Sequence, residues 1–338
     1  MPASPRMGRA GWRGSAQRAQ DARDEATREI GIILVPNFAL ASFSMTIEPL
    51  RIANRLSGHK LYSWSLLSGD GGAVMTNAEI ALDTLPIAAV KDREFDLALV
   101  CAGFDPGKYS HAGVLNWLRR HARLGRTVGA ISTGAFVLAK AGVLQDHRCT
   151  VHWDYRGALQ ELYPDLDIAD ELFVIDRGIV TSAGGIAALD LMLRLIAEQQ
   201  GEAFARAVSD QFVHGAARPS EAHQRADLIH RLGSANSVLI EAVKRMEAVL
   251  DRPLSPAKLS QSLGISQRQL ERQFRRHLKE TPLSYHRDLR LDQARRLLRQ
   301  TSLPVTEVAL SCGFGSASHF SLLYRKRFGR LPTGDRTP

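Results

Sequence analysis

The last third of the chain repeats one short pattern, and this repeat restricts the fold more than any other feature of the sequence. The first copy spans residues 263–282 and the second spans residues 312–332. Corresponding apolar positions lie 50 residues apart, as Phe274 and Tyr324 do. An internal repeat marks a structural unit that is used more than once. Each copy has the order of a helix, a glycine turn and a basic helix, which is the pattern of a helix-turn-helix.

Local signals inside each copy support that pattern. Gly264 and Gly313 provide the turns. Ser266 and Ser316 are residues of the type that caps a helix by accepting backbone N–H bonds. Apolar residues at helical spacing predict the buried stripe of each basic helix: Leu270, Phe274 and Leu278, then Phe320, Leu323, Tyr324 and Phe328.

The segment between the copies, residues 283–300, predicts one long helix that joins the two units. A connection of this kind fixes the distance between the two basic helices. Helices held about one duplex turn apart, ~34 Å, fit successive major-groove segments on one face of DNA. Five arginines lie on the predicted outer face of this helix: Arg287, Arg290, Arg295, Arg296 and Arg299.

Charge is distributed very unevenly along the chain. Residues 236–338 contain 19 Lys and Arg against 9 Asp and Glu, a net charge of +10, while the whole chain carries +9. The remaining residues are therefore close to neutral. Such an asymmetry is typical of a surface that binds the phosphate backbone. The alternative is a basic helical bundle with a solvated charged face, but charge together with the repeat favours double-stranded DNA.

Residues 236–332 resemble the AraC-type DNA-binding domain over its full length. The resemblance is carried by the first repeat unit, by the linking helix and by the run GFGSASHFSLLYRKRFG in the second unit. It implies an all-α domain with two helix-turn-helix units in a bacterial transcriptional regulator. Leu322 stands where many family members have a basic residue, so the second unit is expected to contact mainly the backbone or a thymine methyl group.

Side-chain chemistry divides the predicted DNA contacts into two groups. Arg and Gln side chains bind base edges in the major groove, and exposed cations bind phosphates. Base contacts are predicted for the first helix and, more weakly, for Ser318 and His319; phosphate contacts are predicted for Arg275, Arg325 and Lys326. The complete predicted set is Ser266, Gln267, Arg268, Arg272, Arg275, Ser316, Ser318, His319, Arg325 and Lys326.

From residue 30 to residue 199 the pattern alternates between strands and helices. Apolar runs without polar interruption, such as residues 30–35 (IGIILV), are typical of buried parallel strands. Further strands are predicted at 62–67, 95–101, 127–131, 172–175 and 179–181, and helices at 43–56, 114–124, 135–141 and 187–199. The alternation predicts an α/β doubly wound sheet.

The chain is long enough for more than one domain. We divide it into an arm (1–27), an α/β domain (28–215), a polar linker (216–235), the helical domain (236–332) and a tail (333–338). The aperiodic arm is interpreted as disordered or as an over-extended start, with a DNA-contacting arm as the alternative. Three distant cysteines and no long apolar run indicate a cytoplasmic protein without a membrane span, a metal motif or a cofactor.

One predicted strand runs directly into a helix through Ser132, Thr133 and Gly134. A strand-turn-helix elbow of this kind projects its central side chain into the crevice beyond the strand ends, close to helix N–H groups. The N–H groups of Thr133 and Gly134 would suit a ligand carboxylate. The elbow is therefore the centre of the predicted ligand site.

Residues 28–215 resemble the PfpI-like domain of the class I glutamine amidotransferase superfamily, which has a flavodoxin-like fold. The matching pieces are Glu48 in MTIEPLRIAN, the elbow in VGAISTGAFVLAKAGVL, His152 in CTVHWDY and the run TSAGGIAALDLML. The resemblance implies that Glu48 and His152 lie near the elbow. Catalytic relatives have a cysteine there, whereas this chain has Ser132. Since a serine nucleophile needs a well-placed base and an acid that orients it, we expect no enzyme activity.

Each residue of the predicted ligand site has a plainer alternative. Ser132 is a small polar pocket wall, a ligand hydrogen-bond donor or a nucleophile. Glu48 is a helix carboxylate bonded to backbone or an anchor for a cationic ligand. His152 is a satisfied core histidine or a ligand contact, and Trp153 packs or offers a π-face to a quaternary ammonium group. The predicted ligand-binding residues are Glu48, Ser132, Thr133, Gly134, His152 and Trp153.

A PfpI-like domain followed by an AraC-type domain resembles one subgroup of AraC-family regulators. Known members respond to amino acids or quaternary ammonium compounds such as arginine, glycine betaine or carnitine, and they usually activate catabolic operons. The resemblance implies promoter DNA, a small nitrogenous metabolite, a second copy of the chain and RNA polymerase as partners. Two hypotheses compete with it: an amidase-type enzyme with a DNA-binding appendage, and an architectural DNA binder without a ligand.

Overall fold

The computed structural model describes residues 27–213, 215, 217–225 and 228–336. The interpretation of the N-terminal arm therefore concerns residues outside the described part of the chain. No helix among the described residues is long and apolar enough to cross a membrane.

An eight-stranded sheet forms the centre of the N-terminal domain, with strand order β3-β4-β2-β1-β5-β6-β10-β9. The inner strands are parallel, and the edge strands β3 and β9 are antiparallel to their neighbours. A separate parallel pair is formed by β7 and β8. The strands are β1 Arg28–Leu34, β2 Tyr62–Ser68, β3 Gly72–Met75, β4 Ala81–Pro86, β5 Leu97–Ala102, β6 Thr127–Ser132, β7 Arg148–Thr150, β8 Asp167–Ala169, β9 Phe173–Asp176 and β10 Ile179–Ser182.

Helices cover both faces of this sheet, as the predicted doubly wound fold requires. One face packs against α1 (Leu40–Ser57), α5 (Ile186–Gln200) and α6 (Glu202–Asp210). The other face packs against α2 (Ala112–Arg123), α3 (Ala135–Lys140) and α4 (Arg156–Leu162). Because β1 and β5 are buried on both sides, they carry continuous apolar runs. The predicted fold class is confirmed.

The C-terminal region is entirely helical among its described residues. Its helices are α7 Leu228–Leu232, α8 Ser237–Glu247, α9 Pro256–Ser262, α10 Gln267–Leu278, α11 Pro282–Gln300, α12 Val305–Ser311 and α13 Ala317–Phe328. The first unit, α9 and α10, has its own core with α8, in which Leu239, Met246 and Phe274 are fully buried. The second unit, α12 and α13, packs on α11, and its core is continuous with that of the N-terminal domain.

The described part of the predicted linker is tied to its neighbours on both sides. The Arg218 guanidinium binds the buried carboxylate of Asp190 at 2.7 Å, and the Ser220 carbonyl accepts the Leu172 N–H at 2.9 Å. Further along, Leu228 and Leu232 in α7 pack into the core of the first helix-turn-helix unit. The described linker residues thus extend the two domains that they join.

Candidate DNA-recognition surface and ligand crevice

The first helix-turn-helix unit has the predicted local geometry. Gly264 turns with a φ of +68°, a conformation that favours glycine. The Ser266 hydroxyl accepts the Gln269 N–H while the Gln269 side chain accepts the Ser266 N–H, which is a complete capping box. Leu270 and Phe274 are fully buried. The opposite face of α10 is exposed and presents four of the predicted DNA-binding residues: Gln267, Arg268, Arg272 and Arg275.

The second unit is built in the same way and is held more tightly. Gly313 has a φ of +73°, and a Cβ at this position would stand 2.6 Å from the Asp251 carbonyl oxygen. Only glycine therefore fits where this turn meets the loop between α8 and α9. The Ser316 hydroxyl accepts the His319 N–H and caps α13. Ser318, His319, Arg325 and Lys326 are exposed, and so is Leu322.

Basic side chains of the helical domain fall into two sets. Those of α11, together with Arg327, are engaged within the protein, for example through the contact between Arg327 and Asp292 at 2.7 Å. Those on the recognition helices have no ion pair or side-chain hydrogen bond with any described residue. This second set is available to an external polyanion and consists of Arg268, Arg272, Arg275, Arg276, Arg325 and Lys326.

The predicted outer face of α11 is wrong for Arg290, which is buried, and the other arginines of this face are at least partly exposed but engaged within the protein. Arg290 is 7% exposed and donates to the Cys312 carbonyl oxygen at 2.6 Å. Arg295 and Arg299 both bind the Asp335 carboxylate, at 3.0 and 2.8 Å. Helical spacing correctly located these residues on one helix. It could not show that the second unit and the C-terminal turn pack over them.

Asp335 is the centre of a buried charge cluster beside α13. Burial alone would raise its pKa, but hydrogen bonds from Arg299, Tyr324 and Arg295 hold the pKa of Asp335 below its ordinary value. The Tyr324 hydroxyl donates to this carboxylate at 2.8 Å. The cluster joins α11, α13 and the terminal turn, Pro332–Asp335, and so holds the second recognition helix in place.

The elbow at the end of β6 has a strained backbone. Ser132 has a φ of +61°, which is uncommon for a residue other than glycine. The Thr133 hydroxyl donates to the Gly103 carbonyl oxygen at 2.7 Å and links the elbow to the end of β5. A Cβ on Gly134 would stand 2.3 Å from the Val100 carbonyl oxygen, so the turn can pass the sheet only because this residue is glycine.

The predicted ligand crevice would lie at the carboxyl ends of the central strands. The connection from β1 to β2 runs through α1 on one face, whereas the connection from β5 to β6 runs through α2 on the other. Ligands of doubly wound proteins bind where the strand order reverses in this way. The end of β5 is joined to that of β1 by the bond from Phe104 N–H to the Asn37 carbonyl. Ser132 borders this point from the adjacent strand.

Ser42 and the glycine pair Gly184 and Gly185 enclose the elbow on the side of α1. The Ser42 hydroxyl accepts the Gly185 N–H at 2.7 Å. A Cβ on Gly184 would stand 2.5 Å from Cβ of Ser132 and 2.9 Å from Oγ of Ser42. The Ser132 hydroxyl has no hydrogen bond to any described residue. These contacts were not predicted, although the glycine pair after β10 is a signal of close backbone approach.

His152 and Trp153 follow β7 and reach the elbow helix indirectly. Burial lowers the pKa of His152, and its Nδ1 accepts the Asp154 N–H at 3.4 Å. No contact joins His152 to Ser132 among the described residues. The Trp153 ring lies 4.5 Å from the guanidinium of Arg225 in the linker. One of its π-faces is therefore used within the protein.

Glu48 lies on α1 and forms an ion pair with Arg51 on the same helix. Its side chain is 38% exposed. One of its two predicted roles was a carboxylate bonded to backbone, and it has no such bond to any residue that the structure describes. Tyr155 was missed by sequence reasoning. Its ring packs edge-on against Phe136 of α3, and burial, with the charges of Asp154 and Asp105, raises its pKa to about 12.

A large cleft lies elsewhere, between β9 and the helices α5 and α6. It measures about 1050 Å³ and is bordered by acidic residues that include Glu171, Asp176, Glu198 and Glu202. None of the predicted ligand residues borders it. We favour the elbow as the ligand site because polar groups converge there at the switch point of the sheet. No group of metal-binding side chains is found among the described residues.

Comparison with known proteins matches both halves of the chain. Residues 259–337 match the profile of a helix-turn-helix domain, and residues 32–198 match the DJ-1/PfpI family. The HTH-type transcriptional regulator CdhR of Pseudomonas aeruginosa is 43% identical over 92% of this chain and 92% of its own length. The HTH-type transcriptional regulator GbdR of the same species is 41% identical over 91% of this chain and 84% of its own length.

A solved structure agrees with these relatives. The AraC family transcriptional regulator from Pseudomonas putida is 30% identical, covers 55% of this chain and 99% of its own, and superposes with a TM-score of 0.50. Together the two profiles, the full-length relatives and the geometry define a DNA-binding transcriptional regulator. The chain belongs to the AraC-type regulators that carry an N-terminal DJ-1/PfpI domain.

Proposed function

We propose that this regulator binds promoter DNA through both recognition helices and activates a catabolic operon when a small nitrogenous metabolite occupies the elbow crevice. The observation that supports the DNA contacts most strongly is the division of the basic side chains. Cations on α11 and Arg327 of α13 are engaged inside the protein, while the other cations on α10 and α13 are exposed and without ion pairs among the described residues. Unpaired cations are the ones that can replace counterions on phosphates.

The two units suit a bipartite DNA site. The connecting helix α11 has 19 residues and is therefore about 28 Å long. On α10, Arg272, Gln267 and Arg268 read base edges, and Arg275 binds phosphate. On α13, Ser318 and His319 approach the bases and Arg325 and Lys326 bind phosphate, while the exposed Leu322 contacts a thymine methyl group. Ser266 and Ser316 place the first N–H groups of the two recognition helices toward the phosphate backbone of the DNA.

The effector is an amino acid or a quaternary ammonium compound. The elbow N–H group of Thr133 and the unbonded hydroxyl of Ser132 suit its carboxylate. The Gly134 N–H, also predicted from the sequence as a ligand donor, is instead donated to the Ile131 carbonyl oxygen at 3.1 Å. Glu48 and the free face of Trp153 suit a cationic group. A lowered pKa keeps His152 neutral near pH 7, so it contributes a hydrogen bond rather than a competing charge. A second copy of the chain and RNA polymerase complete the active assembly.

Binding rather than catalysis fits Ser132 better. Activating a serine hydroxyl requires a hydrogen-bonded base that is itself oriented by a third group. Ser132 has no such bond among the described residues, and Nδ1 of His152 faces the Asp154 amide. The enzyme hypothesis predicts amide turnover by the purified protein that is lost in Ser132→Ala. We expect no turnover in either protein.

The first test is capture of genomic fragments by the full-length protein at physiological salt, followed by sequencing. We expect discrete promoters with half-sites about one helical turn apart (~10 base pairs). An Arg272→Ala/Arg325→Ala double variant should lose them, while Arg123→Ala, an exposed arginine on α2, should keep them. Capture without preferred sites would refute sequence-specific regulation and support an architectural role.

A second test addresses the ligand. Thermal unfolding of the full chain is followed with glycine betaine, carnitine or L-arginine at increasing concentration, since a ligand of the folded state raises the unfolding temperature. We expect one compound to stabilise the wild type and to stabilise Ser132→Trp, whose crevice is filled, much less. No stabilisation by any of the three would refute the proposed effector class.

A further inference from the structure

The N-terminal domain and the linking helix share one interface. Ala158 and Leu159 of α4 lie in the same buried cluster as Ala294, Leu297 and Leu298 of α11. A Cβ on Gly157 would stand 2.0 Å from Nε2 of Gln293 in α11, so the two helices approach closely at this glycine. The helix that fixes the spacing of the DNA-binding units is therefore docked on the ligand-binding domain.

One carboxylate supplies the polar contacts at this interface. Oδ2 of Asp154 accepts a hydrogen bond from the Gln300 side chain at 3.1 Å. Oδ1 of Asp154 lies 3.9 Å from Nε of Arg296. Both partners are on the last turns of α11, and the side chains of Asp154 and Arg296 are each about one third exposed. Asp154 thus holds the end of the linking helix nearest the second unit.

The described end of the linker adds a second contact beside the first. The Arg225 guanidinium lies 4.5 Å from the Trp153 ring and 3.7 Å from the Glu247 carboxylate of α8. It therefore bridges the ligand-binding domain and the first helix-turn-helix unit. The neighbouring Gln224 side chain donates to the Glu171 and Val151 carbonyls at 2.9 and 3.0 Å. Trp153 and Asp154, adjacent in sequence, hold both DNA-binding units.

The same interface also brings two acidic side chains near each other. Burial first, and then the nearby charge of Glu307 in α12, raise the pKa of Glu161 in α4. Like charges across an interface weaken it, while the partly exposed pair of Asp154 and Arg296 strengthens it only modestly. A balance of this kind suits an interface that opens and closes rather than a permanent one.

Residues 152–155 also lie beside the elbow helix α3. His152 is bonded to the Asp154 amide through Nδ1, and Tyr155 packs edge-on against Phe136 of the elbow helix. The charge of Asp105, which follows β5 at the crevice, contributes to the raised pKa of Tyr155. A ligand that contacts His152 or displaces Tyr155 would therefore move the backbone that carries Asp154.

We propose that residues 152–157 form a latch whose contacts from Asp154 to Arg296 and Gln300 couple the crevice to the position of the DNA-binding units. This inference rests on the proposed effector function and identifies the residues through which effector binding would change DNA binding. The two states are α11 docked on α4 and α11 released. A ligand changes DNA binding only if it favours one of them. Asp154 is a positioning residue that touches neither ligand nor DNA.

The latch is tested first without any ligand, by hydrogen exchange of the full-length protein. Asp154→Ala removes the polar contact, and Gly157→Leu inserts a side chain between α4 and α11. We expect both to increase amide exchange at least tenfold in residues 291–298. Asp165→Ala, which removes an exposed carboxylate without a partner among the described residues, should match the wild type. Unchanged exchange in both latch variants would overturn the proposal.

Coupling is tested with glycine betaine or whichever of the three probes stabilises the wild type. Operator affinity is measured with and without the probe, and we expect a 5- to 150-fold change in the wild type. Asp154→Ala should still bind the probe, and the probe should change its operator affinity less than twofold. The charge exchange Asp154→Arg with Arg296→Asp should restore part of the coupling. Full coupling in Asp154→Ala would overturn the latch, whereas a wild type that binds no probe would overturn the proposed effector.

Discussion

Nε of Arg290 donates a hydrogen bond to the carbonyl oxygen of Cys312, 2.6 Å away, and thereby joins the linking helix to the turn of the second helix-turn-helix unit. The same guanidinium lies 4.2 Å from the centre of the Phe314 ring. Burial lowers the pKa of Arg290, yet its surroundings satisfy the charge through this carbonyl and this ring. Arg290 is thus a structural residue in a domain whose recognition helices carry exposed arginines.

Replacement of Arg290 should therefore reduce stability. Arg290→Met keeps much of the aliphatic stem but leaves the Cys312 carbonyl without its donor, and a lost buried hydrogen bond of this kind costs about 1–3 kcal/mol. Calorimetric unfolding of the full chain provides the measurement. Arg276→Met, at an exposed position on α10, is the matched control and should unfold like the wild type. Equal stability of both variants would contradict the structural role.

Arg272 should show the opposite behaviour. Arg272→Ala should leave the unfolding temperature unchanged, because the side chain has no ion pair or side-chain hydrogen bond with any described residue. It should weaken operator binding by about 1–3 kcal/mol and relax the base preference at one position of the half-site. Fluorescence anisotropy with a set of single-base operator variants measures both effects. A uniform loss with unchanged preference would make Arg272 a phosphate contact instead.

The approach of Gly184 to Ser132 predicts a difference between two glycines. Gly184 and Gly142 both have positive φ values, +84° and +71°, so alanine at either position should cost about 1–2 kcal/mol. Gly142 has open space around it, whereas a Cβ on Gly184 would meet Ser132 and Ser42. Gly184→Ala should therefore cost about 1–3 kcal/mol more than Gly142→Ala. Urea unfolding of the two variants side by side measures this difference. Equal losses of unfolding free energy would show that the elbow can shift to accommodate the added methyl group.

The N-terminal domain should lose stability in mild acid because of His121. Its Nε2 accepts the Phe95 N–H at 3.2 Å, which requires a neutral ring, and burial lowers the pKa of this histidine. A histidine with a lowered folded pKa contributes stability above its unfolded pKa of about 6.5 that is lost as the pH falls. Below that value the unfolded chain binds more protons than the folded one.

Urea unfolding at pH 7.5 and pH 5.5 checks this prediction, with tryptophan fluorescence as the signal. His121→Phe keeps the stacking on Trp117 but cannot be protonated. Its free energy of unfolding should therefore fall less between pH 7.5 and pH 5.5 than that of the wild type. The variant His230→Gln, at an exposed position, should lose as much unfolding free energy between the two pH values as the wild type does. An undiminished loss in His121→Phe would assign the acid sensitivity to other groups.

Much of the fold was predictable because it depends on periodicity within short segments. Continuous apolar runs located β1 and β5, and the four-residue spacing of Leu270 and Phe274 located α10. The short strands β3, β4, β7 and β8 were not predicted. Their pairing partners lie in other segments, and β3 and β4 are half exposed, so they carry little apolar signal of their own.

The candidate sites divide in the same way. Ser132 was recognised because a strand, a small polar residue and a helix follow one another in the chain, and its positive φ agrees with that reading. Its contacts with Ser42 and Gly184, and the position of Tyr155, depend on helices and loops that are distant in sequence. No local pattern contains that information.

The sequence by itself determined the two helix-turn-helix units, the elbow and the concentration of positive charge in the last third, because each follows from residue type and spacing along the chain. Tertiary structure alone decided which of those charges remain free. Arg290, Arg295 and Arg299 are engaged by groups 22, 40 and 36 residues away, and Arg296 faces Asp154 of the other domain. Whether a cation binds DNA or holds two domains together depends on the partner that folding brings to it.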